Sequence, residues 1–330
     1  MVSLVVPDDS PRVLSGTDTE RRLRAFADVV IHTEPGADRP QELERRVAPA
    51  EVVLALRAYS RFTERVLAAC PRLRMISVWG TGTDNVDLNA CHARGIVVTS
   101  TAGANARSVA EHTMALMLGV TRRVAPLDAG LRAGTWAGGQ LTQLEGRTLG
   151  VIGLGAVGVR VVELGTAFGM RVLTWTRRPD PARRRAVGGT LVSLETLLRE
   201  SDIVTLHLRL SAETTNLLDA DRLRLMKPGA VLINTARAAL VDRDALLEAL
   251  RRGPLAGAGL DVFHQEPLSS DDALLGLPNV LLTPHIAGAT PEAIEAGLRM
   301  AVAAIERFLN VPASASALSR GPFEAGRPVG

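Results

Sequence analysis

Lysine is almost missing from this sequence. Of its 38 basic side chains only Lys227 is an ammonium; all the others are guanidinium groups. They are interspersed with acids, as in Glu20-Arg21-Arg22 and Glu42-Leu43-Glu44-Arg45-Arg46, and the formal net charge is only +3. A pI of about 9.4 therefore marks arginine usage rather than a basic face that tracks phosphates, and nucleic-acid binding is excluded. Cysteine is equally scarce. Cys70 and Cys91 lack metal-ligand spacing and read as small buried thiols in a reducing compartment, with no disulfide framework. No His/Cys/Asp/Glu grouping has ligand spacing, so no metal is expected. No apolar run reaches the roughly 20 residues that span a bilayer. Met1 to Pro7 has neither a charged leader nor a cleavage site and reads as a first strand, so a cytoplasmic location is expected.

What is present is alternation. In the first hundred residues, strand candidates Leu4–Val6, Val29–His32, Val52–Leu56, Met75–Val78 and Ile96–Thr99 alternate with helical segments. The helices lie around Arg21–Ala27, Glu42–Ala48, Thr63–Ala69 and Leu88–Arg94, and this order implies a parallel sheet covered on both faces. Asn105 to Arg123 is helical and apolar nearly all round, so it should be buried. Pro126 to Gly146 reads as a connecting arm with a helical piece at Leu127–Arg132.

From Thr148 a second alternation begins. The strand Thr148–Ile152 breaks into Gly153-Leu154-Gly155-Ala156-Val157-Gly158, a helix follows, and Arg171–Trp175 closes a β-α-β unit. Such glycines serve a tight turn, a backbone bare enough for a pyrophosphate, and close helix–strand packing, with the phosphates on the helix N-terminus. Ala156 and Val157 lie on that turn. Later strands are expected at Ile203–Leu206, Val231–Asn234, Gly257–Asp261 and Val280–Leu282. A helix over Pro291–Asn310, with Thr290 as cap, closes the fold. Its return to the first domain would make that domain discontinuous. The expected division is residues 1–101 with 287–312, then 102–286, then a loose tail at 313–330.

Three stretches follow strand ends, where open parallel sheets place their ligands. They are Ile233-Asn234-Thr235-Ala236-Arg237, Leu260-Asp261 through His264-Gln265-Glu266-Pro267, and Thr283-Pro284-His285-Ile286-Ala287-Gly288. A guanidinium holds a carboxylate by paired hydrogen bonds, and an imidazole oriented by a carboxylate exchanges protons near neutrality. Taken singly, Arg237 reads as a surface arginine, Glu266 as a turn residue and His285 as structural. Their shared setting favours chemistry.

These motifs resemble the D-2-hydroxyacid dehydrogenase family of NAD(P)-dependent enzymes, of the glyoxylate/hydroxypyruvate reductase kind, over residues 50–310. Gly80-Thr81-Gly82-Thr83-Asp84-Asn85-Val86-Asp87 matches the family's substrate loop and Asn105–Glu111 its interdomain helix. The resemblance implies a Rossmann-type doubly wound parallel sheet plus a flavodoxin-like α/β substrate domain. Arg237 would bind the substrate carboxylate and carbonyl, and His285, paired with Glu266, would be the acid/base. The amides around Thr81 and Gly82 would hold the carboxylate from the other domain. Gly153, Gly155 and Gly158 would carry the pyrophosphate, Thr235 and Ala236 would line the cofactor, Asp261 would bond the nicotinamide carboxamide, and Gly288 would lie near the ring. Relatives are commonly homodimers, with the arm as a contact.

Two departures stand out. Where NAD enzymes place an acid after the second strand, this chain has Thr176, followed by Arg177 and Arg178, a set suited to a ribose 2′-phosphate. NADPH is therefore the expected cofactor, with NADH as second choice. Ala102 replaces a usual proline, which alters hinge stiffness rather than chemistry. Arg57 and Tyr59 follow a strand end and are candidates for the substrate side, with Trp79 and Trp136 as pocket or core residues. His207 ends a strand near the cofactor, His112 reads as a core residue, and His264 has no evident partner. The retained Glu266 speaks against formate oxidation and the lysine-free substrate loop against phosphite oxidation. A short-form phosphoglycerate dehydrogenase and a nucleotide-sensing corepressor-like protein stay open as alternatives.

Overall fold

The computed structural model describes residues 1–178 and 188–310, so the expected tail at 313–330 lies outside the described residues. The chain forms two compact units, Ala102–Ala296 and a unit made of Met1–Thr101 with the chain from Gly297 onward.

The first unit is built on five parallel strands: β1 (Val2–Val6), β2 (Ala27–Ile31), β3 (Val52–Ala55), β4 (Met75–Val78) and β5 (Val97–Ser100). Their order, β2-β1-β3-β4-β5, is the flavodoxin-like one. Helices α1 (Asp18–Arg24), α2 (Pro40–Val47), α3 (Glu64–Ala68) and α4 (Leu88–Ala93) connect them. The caps explain where helices start. The Thr17 hydroxyl accepts the Glu20 amide and starts α1 a turn earlier than periodicity alone predicts, and the Asp87 carboxylate accepts the Ala90 amide to start α4. Leu43, Val47, Val66, Leu67 and Cys91 from the helices close over Val5, Val53 and Ile76 of the sheet. Both cysteines are buried free thiols.

The second unit is a seven-stranded parallel sheet: β6 (Thr148–Ile152), β7 (Arg171–Trp175), β8 (Thr190–Leu191), β9 (Ile203–Leu206), β10 (Ala230–Asn234), β11 (Leu255–Leu260) and β12 (Val280–Leu282). The order β12-β11-β10-β9-β6-β7-β8 reverses direction between β6 and β9, the doubly wound Rossmann arrangement. On one face, α5 (Ala106–Thr121) and α7 (Ala156–Ala167) bury Met114, Leu116, Met117, Val161 and Val162 against Leu149, Val151 and Ile233. On the other, α8 (Leu194–Glu200), α9 (Ala220–Arg224) and α10 (Arg243–Arg251) bury Leu197, Leu198, Leu223, Leu246 and Leu250. Strands covered on both sides explain the nearly unbroken apolar runs of the sequence. Between α5 and β6, α6 (Val124–Arg132) leads into an irregular arm on which Trp136 is 92% exposed. It belongs to neither core nor pocket, contrary to expectation, because the arm folds no element back over it.

The closing helix α11 (Pro291–Asn310) starts at Thr290, whose hydroxyl accepts the Ala293 amide. From Gly297 onward it belongs to the first unit, where Trp79 packs against Gly297, Glu306 takes the Arg22 guanidinium and Phe308 lies under Arg74. The change of unit comes at Gly297 rather than at 287 because the preceding loop is tied to the second unit. Asp261 accepts the amides of Ile286 and Ala287, and the Ser108 and Thr290 hydroxyls pair at 2.7 Å. Among the described residues no helix is long and apolar enough to cross a membrane.

Candidate active site and cofactor cradle

The glycine turn joins β6 to α7. Gly153 has φ +106°, and a Cβ there would lie 2.5 Å from the His207 carbonyl oxygen. A Cβ on Gly158 would lie 1.8 Å from the Gly153 carbonyl oxygen. Both positions are closed by the protein itself. Gly155, at the N-cap of α7, differs: a Cβ there would meet nothing within 4 Å. Packing does not require glycine at that point, so the open space beside the helix amides fits a closely approaching pyrophosphate. Ala156 and Val157 open the helix next to it. His207, after β9, flanks both closed glycines and its Nε2 lies 3.0 Å from the Thr205 hydroxyl. Burial lowers its pKa to about 3, so the ring is neutral.

The catalytic candidates converge from three strand ends. At the end of β10, Asn234 accepts the Ala236 amide and donates to the Arg237 carbonyl at 2.9 Å, which fixes the turn carrying Thr235, Ala236 and Arg237. The Thr235 hydroxyl lies 2.9 Å from that of Thr113 on α5. After β11, Glu266 accepts the Phe263 amide with Oε1 and meets His285 Nδ1 with Oε2 at 2.7 Å. Burial alone would raise the Glu266 pKa. The hydrogen bond and charge of His285, the Phe263 amide and the Arg237 guanidinium outweigh it and hold the carboxyl below its usual range. An ionised carboxylate only accepts, so Nδ1 carries the hydrogen and Nε2 is left for proton exchange. His285 itself sits at φ +53°, an unusual backbone for a side chain of this size.

Asp261 follows the last residue of β11. Its carboxylate is completely buried and accepts the Thr283 hydroxyl at 2.6 Å and the amides of Ile286 and Ala287. These bonds anchor the loop that carries His285. Thr283 spends its only hydrogen on Asp261, so His112 Nε2, 2.9 Å away, donates to the Thr283 oxygen. His112 is thus a support of this loop rather than a simple core residue. Gly288 backs onto Asn105, where a Cβ would lie 2.7 Å from the amide nitrogen. His264 finds its partner in the Val241 carbonyl at 3.1 Å.

Within the first unit, the loops after β1 and β3 flank the point where the sheet reverses. The Arg57 guanidinium donates to the Pro11 carbonyl, and the Tyr59 hydroxyl lies 3.4 Å from the Ser10 carbonyl. Both side chains thus meet the β1 loop; partial burial, reinforced by Asp8, pushes the Tyr59 pKa up to about 12. After β4, Gly80 is pinned to Thr101 by its amide and carbonyl. Among the described residues nothing accepts the amides of Thr81 and Gly82. At the end of β7, Thr176 is half-buried and Arg178 exposed, whereas Arg177 is ion-paired with Glu213.

Residues 114–287 match the family model "D-isomer specific 2-hydroxyacid dehydrogenase, NAD binding domain". The glyoxylate reductase of Thermococcus litoralis is 36% identical over 284 residues, 83% of this chain and 85% of that protein. The chain belongs to the D-isomer-specific 2-hydroxyacid dehydrogenases. It is an oxidoreductase of that family with an NAD-binding domain. D-3-phosphoglycerate dehydrogenase from Archaeoglobus fulgidus is 39% identical over 265 residues, 80% of this chain and 50% of that protein. Among solved structures, the acyclic imino acid reductase Bsp5 in complex with NADPH and D-Arg superposes with a TM-score of 0.83 at 27% identity, covering 93% of this chain and 97% of that one. For this dehydrogenase, sequence reasoning passed over Asn234 and Thr283. Their signal was present, since each stands at a strand end beside an assigned residue, but an amide or hydroxyl at a turn is common and announces no chemistry. Among the described residues no His/Cys/Asp/Glu group could hold a metal.

Proposed function

We propose that this dehydrogenase interconverts a small 2-keto acid, such as glyoxylate or hydroxypyruvate, and its D-2-hydroxy acid. The observation that carries this reading is the 2.7 Å contact between His285 Nδ1 and Glu266, beside the charge of Arg237. A bound nicotinamide cofactor supplies the hydride in the reducing direction. Glu266 holds the imidazole so that Nε2 delivers a proton to the carbonyl oxygen, and Arg237 binds the carboxylate and polarises the carbonyl. The free amides of Thr81 and Gly82 contribute to carboxylate binding, with the unit of residues 1–101 as the substrate domain. Arg57 and Tyr59 shape that side through the β1 loop.

Gly153, Gly155, Ala156, Val157 and Gly158 cradle the pyrophosphate, with His207, Thr235, Ala236 and Gly288 along the cofactor. Thr176 in place of an acid, followed by Arg177 and Arg178, favours NADPH over NADH. Assays with glyoxylate, hydroxypyruvate and the 2-keto acid formed by oxidising 3-phosphoglycerate, each with both cofactors, test the substrate and cofactor. His285→Ala should retain cofactor binding and lower turnover at least ~100-fold, the scale of a lost acid/base; near wild-type turnover would refute the assignment.

The enzyme works as a homodimer in the cytoplasm on this reading. The cytoplasm suits two free buried thiols, and the dimer is supported by the apolar arm, where Val124, Leu131 and Leu141 are exposed along with Trp136. Trp136→Glu should shift sedimentation towards the monomer, and a wild type that sediments as a monomer at all concentrations would remove the dimer from the reading.

A further inference from the structure

Arg177 and Glu213 come from loops on opposite sides of the glycine turn. Arg177 follows β7 and Glu213 follows β9, and these strands are the two neighbours of β6. The residues after β7 face the ribose of the adenosine in this fold. Glu213 therefore brings a carboxylate to the region where Thr176 replaces the usual acid, but from a different loop. That loop is firmly built. The buried Thr214 hydroxyl accepts the Ser211 amide and donates to the Arg209 carbonyl, both at 2.8 Å, and the Thr215 hydroxyl donates to the Ser211 carbonyl at 2.9 Å. Glu213 is held beside Arg177 by a fixed turn rather than by a loose strand of chain.

We propose that Glu213 is a specificity-determining residue that competes with the ribose 2′-phosphate for Arg177, and so limits the advantage of NADPH over NADH. This rests on the cofactor reading above for the position of the ribose. A phosphate must displace the carboxylate from the guanidinium or share it, and sharing brings two negative groups together. A ribose hydroxyl makes no such demand. The side chains of Arg177 and Glu213 are 35% and 66% exposed, so the effect is modest and sensitive to salt.

The test is steady-state kinetics with NADPH and NADH on wild type, Glu213→Gln, Arg177→Gln and the double variant. Glu213→Gln should raise the NADPH-to-NADH ratio of kcat/KM by roughly 3- to 10-fold at low ionic strength, and less at high salt. The increase should vanish when Arg177 is already glutamine. An unchanged or lowered ratio, or a full increase in the Arg177→Gln background, overturns the proposal. The wild-type ratio judges the cofactor reading separately: a wild type that favours NADH ends the NADPH preference, while a selective NADPH gain in Glu213→Gln still upholds the role of Glu213.

Discussion

Asp261 shows how much one side chain can hold. Its two oxygens take a hydroxyl and two amides from the loop of residues 283–287, and that loop carries His285 at a backbone angle it would not adopt freely. Replacing the carboxylate by an amide turns an acceptor into a donor that faces an N–H. Asp261→Asn should therefore destabilise the fold by about 1–3 kcal/mol, the cost of one buried unsatisfied pair, and lower kcat as the loop loosens. A variant with unchanged unfolding midpoint and reduced cofactor affinity alone would return Asp261 to the nicotinamide. The sequence marked this carboxylate as a site residue, and its bonds to the loop of residues 283–287 emerge only in the fold. A residue at a strand end can face a ligand or its own loop, and only the path of the chain after residue 283 distinguishes the two. Glu266 and His285 were legible for the opposite reason, since an imidazole and a carboxylate on neighbouring loops have one obvious mutual arrangement.

Among the elements, the β6–α7 turn separates glycines kept for packing from the one kept open. A methyl on Gly158 collides with backbone, which cannot give way cheaply, so Gly158→Ala should lower the unfolding temperature and weaken cofactor binding together. A methyl on Gly155 meets no protein atom, so Gly155→Ala should keep its unfolding temperature without cofactor and lose binding specifically. Thermal scans with and without cofactor compare the two, and equal destabilisation of the free proteins would contradict the division. The strands were readable because buried parallel strands are continuous apolar runs, as at Val151 and Ile233. Helix starts were displaced where a cap decides. Thr17 begins α1 before any apolar residue of its repeat appears, a signal that periodicity does not carry.

At the scale of the molecule, stability depends on an ionisable group set at a joint of the nucleotide-binding unit. His207 sits against Gly153 and Gly158, at the joint between β6, β9 and α7, and burial lowers its folded pKa to about 3. In the unfolded chain the same imidazole titrates near 6.5. Between those values the unfolded state binds a proton that the folded state refuses, so this contribution to stability is fully present above about pH 6.5 and is lost as the pH falls towards 3. Other groups also titrate in this range, and a comparison with His207→Gln isolates the imidazole. From pH 7 to pH 5 the wild type should lose roughly 1–2 kcal/mol more than the variant. The loss should be read from denaturant unfolding followed by a signal from the second unit, because the two units need not unfold together. Identical pH slopes for wild type and variant would mean that the imidazole reaches solvent in the folded state, and that the glycine turn rests on the His207 backbone alone.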